Sequence, residues 1–378
     1  MERTRFCALL CVLLVLSLLL GACSQLQTPT PEAPAAPISL WLLRDHPLAA
    51  SIESLTETYN ASEPYAVVVL RFFDDEAAMA QAMDSARPDL LLCGAEQAIA
   101  MHEQGRLRSL SAGAEPLPAS TARFRALGDC VDLSFFPLCA DVQLLAVNAA
   151  VPARTDAAIL SNMERLCLAA AEQGKADSAP FFSADSFAAL FAACLAQTGD
   201  DFAARREEDI RREAYRRLYN LLADAAFTGG LLWECGDLPA AVSDGRVGCA
   251  VCFSSSLVCT DDASVYCYPL PLMPGGEKLC LAEIYGFAVT SPFERSLPGA
   301  ARFLRWLCAP ETSAGLLLDE GYLPAADGPW PERAGSFAGA MRAVADGYGF
   351  VVPAADSGYR LHGKEFERSF RDALALLA

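Results

Sequence analysis

From Ile38 onward the chain alternates short apolar runs with amphipathic stretches of helical period, and this alternation restricts it to an α/β fold. Ile38 to Leu43 (ISLWLL) is continuously apolar, the pattern of a strand buried on both faces. Leu48, Ile52, Leu55 and Tyr59 follow at helical spacing. Tyr65 to Phe72 (YAVVVLRF) is rich in β-branched residues and predicts a second strand. Asp74 to Ala86 predicts a helix whose acidic first turn suits the macrodipole. Asp89 to Cys93 is a third strand, and Ala95 to Gln104 a third helix closed by Gly105. Strand and helix alternating at this pitch build βαβ units on a parallel sheet.

The pattern continues with longer elements. Phe135 to Asn148 (FFPLCADVQLLAVN) reads as one long strand, followed by helix through much of Ala157 to Glu172. Phe187 to Gln197 and Glu207 to Ala225 are further helices, the second charged on one face. Val247 to Phe253 reads as a strand left through Ser254-Ser255-Ser256, and Tyr266 to Leu272 as an extended run before the turn Pro274-Gly275-Gly276. Ile284 to Thr290 is a returning strand, with helices expected near Ala300 to Cys308 and Ser313 to Asp319. Phe366, Phe370, Ala373, Leu374 and Leu377 predict a terminal amphipathic helix. A chain of 378 residues is too long for one small core, so two lobes are expected.

The N-terminus carries its own signal. Arg3 and Arg5 precede an apolar run, Ala8 to Leu20, broken only by Ser17. That run is short of the roughly 20 residues a membrane span needs, so it reads as a signal-peptide core. Leu20-Gly21-Ala22-Cys23 looks like a bacterial lipobox, which makes residues 1–22 a lipoprotein signal peptide and Cys23 the lipidation site. Several acyl chains on one residue suffice for stable anchoring. Ser24 to Pro37 is Pro- and Ala-rich, a semi-extended tether of about 3 Å per residue. The expected location is therefore extracytoplasmic, lipid-anchored to the cell membrane.

The formal net charge of −18 argues against nucleic acid as a partner. Of 15 cysteines, many sit inside apolar runs, such as Cys93 in DLLLCG and Cys249 and Cys252 in VGCAVCF, and read as small buried hydrophobes. Cys249 and Cys252 form a CxxC that lacks a second ligand pair for zinc. His46, His102 and His362 are scattered without metal spacing, and neither a G-x-S-x-G nor a P-loop occurs. No catalytic residue, metal or cofactor is expected, and the chain is not read as an enzyme.

Five segments, in order, carry a resemblance. PDLLLCGAEQAIAMHEQGRLRSL, FPLCADVQLLAVNAAV, AVSDGRVGCAVCFSSS, YGFAVTSPFERSLPGAARFLRWLCAPE and GYLPA together resemble the extracellular solute-binding proteins of sugar-type ABC importers. Ala146 stands where that family often has an aromatic residue, and cysteine repeatedly replaces small or apolar residues, which leaves the ligand class open. The resemblance implies a two-lobed periplasmic-binding-protein-like α/β fold. Each lobe would be a mostly parallel sheet flanked by helices, with the ligand cleft between them. Lobe one would comprise 38–142 plus 281–318, and lobe two 143–280 plus 319–378. The implied function is delivery of a small solute, a carbohydrate first, to ABC permease subunits by hinged closure of a monomer. A polyamine, metal complex or amino acid as the solute, or a sensor or interaction lipoprotein on the same fold, remains as an alternative.

Candidate ligand contacts follow from the rule that ligands bind at strand ends in open α/β sheets. Trp41, Arg44, Asp45 and His46 lie at the end of the first strand; Asp45 serves equally well as a helix cap, and Arg44 as a solvated charge. Glu96 follows the third strand and either lines a cleft or favours the start of its helix. Phe182, Ser183 and Asp185 precede a helix, which Asp185 is placed to cap. Trp233 and Glu234 suit ring stacking and hydroxyl recognition, with packing as the alternative. Ser254 and Ser255 either line the cleft or form a turn, and Glu283 and Tyr285 flank the returning strand.

Overall fold

The computed structural model describes residues 36–63, 66–110, 124, 133–151, 157–177, 180–199, 213–233, 235–258, 263–290, 295–326, 328–331, 334–351, 368 and 372. The signal segment, Cys23, nearly all of the tether, Glu234 and nearly all of the expected terminal helix lie outside the described residues.

The first third follows the apolar pattern closely. β1 (Ile38–Leu43) leads to α1 (Ala49–Ser62), then β2 (Val68–Phe73), α2 (Glu76–Ser85), β3 (Leu90–Gly94) and α3 (Ala95–Glu103). Asp75 starts α2, its Oδ1 accepting from the Ala78 amide at 2.7 Å. β4 (Phe135–Asn148) matches its predicted span. The helix expected from Ala157 divides into α4 (Ala157–Leu160) and α5 (Met163–Asp177). Asn162 makes the break: its side chain accepts from the Arg165 amide at 3.0 Å and so caps a new helix. β5 (Phe182–Ala184) occupies a segment read as loop, and α6 (Phe187–Gln197) and α7 (Glu213–Phe227) follow.

α8 (Leu238–Ser243) precedes β6 (Cys249–Phe253), and Ser254–Leu257 forms a 3₁₀ turn before β7 (Val265–Pro269). β8 (Leu279–Val289) begins five residues before the expected Ile284, because its first residues pair with strands distant in sequence. α9 (Leu297–Leu307), α10 (Pro310–Asp319), β9 (Leu323–Pro324), α11 (Ser336–Gly347) and β10 (Gly349–Val351) complete the described chain.

The main path of strands runs β2-β1-β3-β8-β4-β6-β5. β1 pairs in parallel with β2 and β3, and β5 in parallel with β6, as βαβ units require. The two long strands break the expected parallel character. β8 runs antiparallel to β3 and to β4, and β4 antiparallel to β6, β7 and β9, so each lobe holds a mixed sheet. The cause is their length: each serves two sheets in turn. β4 pairs with β8 from Phe135 to Val142 and then, from Gln143 onward, with β6 and β7. β8 pairs with β10 at Leu279–Leu281 and reaches β3 at Tyr285–Val289.

Both faces of the first sheet are covered. Ile38, Leu40, Leu42, Leu90, Leu92 and Phe287 pack with Tyr59, Phe303, Leu304 and Leu307 of α1 and α9. The intervening Trp41, Leu91 and Cys93 pack with Met79, Met83, Ala98 and Met101 of α2 and α3. Each fully buried Leu, Ile, Phe or Met among them contributes about 1.5–3 kcal/mol, which favours apolar residues on both faces of β1 and β3. In the second sheet, Leu144, Val147, Cys249 and Val251 join Leu166, Phe182, Leu190 and Leu222 in the larger core.

Ten described cysteines carry free thiols, eight of them buried among apolar neighbours. Burial pushes the Cys93 and Cys167 thiols up to about 12. Among the described residues no group of three or more His, Cys, Asp or Glu side chains is arranged to hold a metal, and no helix is long and apolar enough to cross a membrane.

Candidate functional site

A cleft of about 560 Å³ opens where the two sheets meet. Strand ends and helix starts from three directions form its walls. Leu43 and His46 follow β1, Glu76 opens α2, and Leu92 to Gln97 span the end of β3 and the first turn of α3. Leu281 to Tyr285 of β8 run through it, and Ser186, Ala189 and Phe253 close the opposite side from α6 and β6. Ser186 starts α6 by accepting from the Ala189 amide at 3.1 Å.

His46 and Tyr285 meet at the cleft, their rings edge to face with centroids 5.1 Å apart. The Leu48 amide donates to His46 Nδ1 at 3.1 Å, which assigns the ring proton to Nε2. Nε2 is buried and has no hydrogen-bond partner. Burial lowers the imidazole to about 4 against the opposing pull of Asp45, so His46 is neutral at physiological pH. The Tyr285 hydroxyl donates to Glu283 Oε2 at 2.8 Å. Burial first, and the Glu283 carboxylate second, hold the phenol protonated well above its ordinary range.

Beneath the cleft lies a buried carboxylate inside β4. Asp141 Oδ1 accepts from Ser254 Oγ at 2.9 Å and from the Ser255 amide at 3.0 Å, while Ser255 Oγ donates to Oδ2. Ser254 Oγ in turn accepts from the Val142 amide at 3.1 Å. Burial pushes Asp141 up to about 6, with the serine hydrogen bonds opposing the shift and Glu283 adding to it. The loop before β9 presses on this network: at Gly321 (φ +85°) a Cβ would stand 2.6 Å from the Ser254 carbonyl oxygen.

The residues singled out in the sequence take different places. Glu96, Glu283 and Tyr285 line the cleft. Trp41 is 4% exposed and turned into the core, its ring 4.9 Å from that of Phe73, with the Arg71 guanidinium over it at 4.8 Å. It is not among the lining residues because its position in β1 faces α2 and α3. Arg44 is exposed, paired with Asp74 at 3.2 Å and seated over the Phe72 ring at 5.4 Å. Asp45 is exposed and does not cap α1, whose cap position is Leu48. Asp185 is not the cap of α6 either: its Oδ2 accepts from the Phe253 amide at 3.0 Å and ties β5 to the end of β6. Trp233 stacks face to face on Phe187, centroids 4.5 Å apart and planes 5° apart. Ser254 and Ser255 brace Asp141 and are absent from the lining.

Glu76, Gln97, Ser186, Phe253 and the buried Asp141 were not anticipated. Glu76 had a readable signal, since it opens the helix after β2 as Glu96 opens the helix after β3. Asp141 had one too, a lone carboxylate within a 14-residue apolar strand.

The architecture and cleft define the two-lobed periplasmic-binding-protein-like α/β fold. Solved structures with this fold superpose over nearly the whole chain. The cyclic alpha-maltosyl-1,6-maltose binding protein of Arthrobacter globiformis matches with a TM-score of 0.72 at 16% identity, covering 91% of this chain and 95% of that one. An ABC substrate-binding protein of Listeria monocytogenes, in complex with cycloalternan, matches at 0.66 and 12%, covering 90% and 94%. UgpB of Mycobacterium tuberculosis, in complex with glycerophosphocholine, matches at 0.65 and 15%, covering 91% and 98%. No known family description and no curated protein matches the sequence.

Proposed function

We propose that the chain is an extracytoplasmic binding lipoprotein that captures a small solute, a carbohydrate first, and presents it to the permease subunits of an ABC importer. The observation that carries this reading is the position of the cleft. It lies where β4 and β8 pass between the sheets, so that Leu281 to Tyr285 and the ends of β1, β3 and β6 meet around one volume. The proposed division is 38–142 with 281–318 for one lobe and 143–280 with 319–378 for the other. The change of partners at Val142 and Gln143 supports its first boundary, whereas Tyr322 and Leu323 pack and pair with the first lobe. A solute touching both walls binds the closed arrangement better than the open one and shifts the population toward it. The fold's sugar-binding neighbours in Arthrobacter and Listeria support carbohydrate as the first class to test. Glu96, Glu283 and Tyr285 are the contacts proposed from the lobe-one wall and the crossing strand, joined by His46 and Phe253.

Cys23 anchors the protein through its lipid, and the tether holds the lobes off the membrane. Cys23→Ala is expected to move the protein from the membrane to the soluble fraction. A thermal-shift screen across oligosaccharides, polyamines and amino acids tests the receptor reading, because a ligand at 100 times its Kd stabilises by about 2.7 kcal/mol. A raised Tm without turnover of the solute is expected. A flat response to every class would remove the receptor reading.

A further inference from the structure

We propose that the turn after β6, Ser254 to Ser256, latches the two lobes to each other, and that Asp141 and Asp185 are positioning residues that join the lobe angle to the cleft wall at Phe253. This rests on the receptor reading above and on its division into lobes. β4 and β8 cross between the sheets as single strands, a connection that permits the lobes to bend about them. Beside that crossing, hydrogen bonds from consecutive residues reach alternately into the two lobes. The Phe253 amide donates to Asp185 Oδ2 at 3.0 Å, within the second lobe. Ser254 Oγ and the Ser255 amide donate to Asp141 Oδ1 at 2.9 and 3.0 Å, on the first-lobe part of β4. The Val142 amide donates back to Ser254 Oγ at 3.1 Å. Ser256 Oγ turns to the second lobe again, donating to the Phe253 carbonyl at 2.7 Å and lying 3.4 Å from Asp185 Oδ2.

The turn is also pressed from the first-lobe side. Gly321 precedes Tyr322 of the first-sheet core, and a Cβ on it would stand 2.6 Å from the Ser254 carbonyl oxygen and 2.7 Å from Ser255 Cα. Ser254 is fully buried and Asp141 is 6% exposed, so water does not replace their bonds while the turn stays seated. Parting the turn from β4 strips a buried carboxylate of its donors, and parting it from Asp185 frees the Phe253 amide. Both sets of bonds run through one short turn, so a change of lobe angle that strains one set strains the other. They therefore open and close as a unit. Phe253 lines the cleft, and a solute that touches both it and the first-lobe wall holds the latch shut, with the reciprocal effect of the latch on the solute. A turn that only finishes β6 lacks this coupling, because each bond then opens by itself.

Hydrogen exchange of the full-length chain, read at single amides by mass spectrometry, tests this without a solute. Asp185→Ala, at an exposed position, takes the acceptor from the Phe253 amide. The Val142 and Ser255 amides keep their acceptors and are nonetheless expected to exchange about tenfold faster. Ser254→Ala is the reciprocal variant. The Phe253 and Ser255 amides then keep Asp185 and Asp141, and are expected to accelerate by about tenfold as well. In both variants Leu145 and Val251, paired inside the second sheet, are expected to keep their rates. Acceleration confined to the amide whose acceptor was removed overturns the inference and makes the turn a local cap of β6. Acceleration of Leu145 and Val251 by the same factor overturns it too, as a general loss of stability. Should Ser254→Ala lose its cooperative melting transition, Asp185→Ala carries the test alone. Neither result touches the receptor reading, which stands or falls by the thermal-shift screen.

Discussion

Asp141 on β4 stands directly opposite Glu283 on β8, in register, where the two long strands pair between the sheets. The two carboxylates have opposite surroundings. Asp141 is 6% exposed and held by Ser254 and Ser255, whereas Glu283 is exposed in the cleft and receives the Tyr285 hydroxyl. One acid therefore belongs to the brace of the crossing and the other to the cleft, although they are cross-strand neighbours.

The buried partner confers a pH dependence with a definite sign. Asp141 holds its proton up to about pH 6 in the folded protein but releases it near the ordinary 3.8 when unfolded. Between those values the folded state binds more protons, so this contribution is full below the lower value and is lost as pH rises through the upper one. The window is worth about 3 kcal/mol. Asp141→Asn should gain on the unsubstituted protein by that order between about pH 4 and pH 7, read from urea melts at each pH. His46 runs the other way, its neutral-state stability being lost as pH falls from 6.5 toward about 4. Comparing the two proteins at each pH cancels that term. A constant offset across the range would contradict the assignment.

Gly286, next to Tyr285, has no room for a side chain. A Cβ there would sit 2.2 Å from the Phe136 carbonyl oxygen and 2.8 Å from Pro137 Cα. Gly286→Ala must push β8 from β4 and should cost about 2 kcal/mol or more. The urea midpoint should fall without a change of slope; an unchanged midpoint would show that the crossing accommodates the methyl group.

Tyr285 and Trp233 separate cleft from core. Tyr285→Ala removes a ring and a hydroxyl from the cleft wall and should weaken ligand binding about tenfold or more. Trp233→Ala removes a ring stacked on Phe187 and should cost about 1–3 kcal/mol of stability, with affinity little changed. Paired calorimetry and melting curves read both quantities, and the reverse pattern would exchange the two roles.

The buried thiols should be inert in the folded state. Cys93, Cys167, Cys194 and Cys249 are buried and raised in pKa by burial, whereas Cys235 is half-buried. Brief treatment with iodoacetamide at mildly alkaline pH, followed by peptide mass mapping, should label Cys235 before any of those four. Denaturant should then expose them all. A native linkage between Cys249 and Cys252 would contradict their placement as separate packing groups.

Much of the fold was legible because burial leaves a local trace. Ile38 to Leu43, Phe135 to Asn148 and Phe187 to Gln197 announce their state through period and composition, and the structure keeps those bounds. β5, β9 and β10 were missed because two or three residues carry no period, and they exist only through partners far along the chain. α11 was missed as well, although Ala340, Met341 and Val344 form its buried face at helical spacing. In the cleft, Glu96 was readable from the end of β3, and Glu283 and Tyr285 from their place beside the expected returning strand, which proves to be the middle of β8. Trp41, Ser254 and Ser255 were misjudged because nearness to a strand end does not say which way a side chain turns.

By itself the sequence determined where strands and helices form and that two sheets would be needed, since residue spacing and apolar content act within a few turns of chain. Only the tertiary structure decided that β4 and β8 change partners midway, that Asp141 is buried while its neighbour Glu283 is not, and that His46 meets Tyr285. Those outcomes depend on contacts between residues 113 to 239 positions apart. No local pattern encodes them, because the energy that selects them appears only once the sheets have closed on one another.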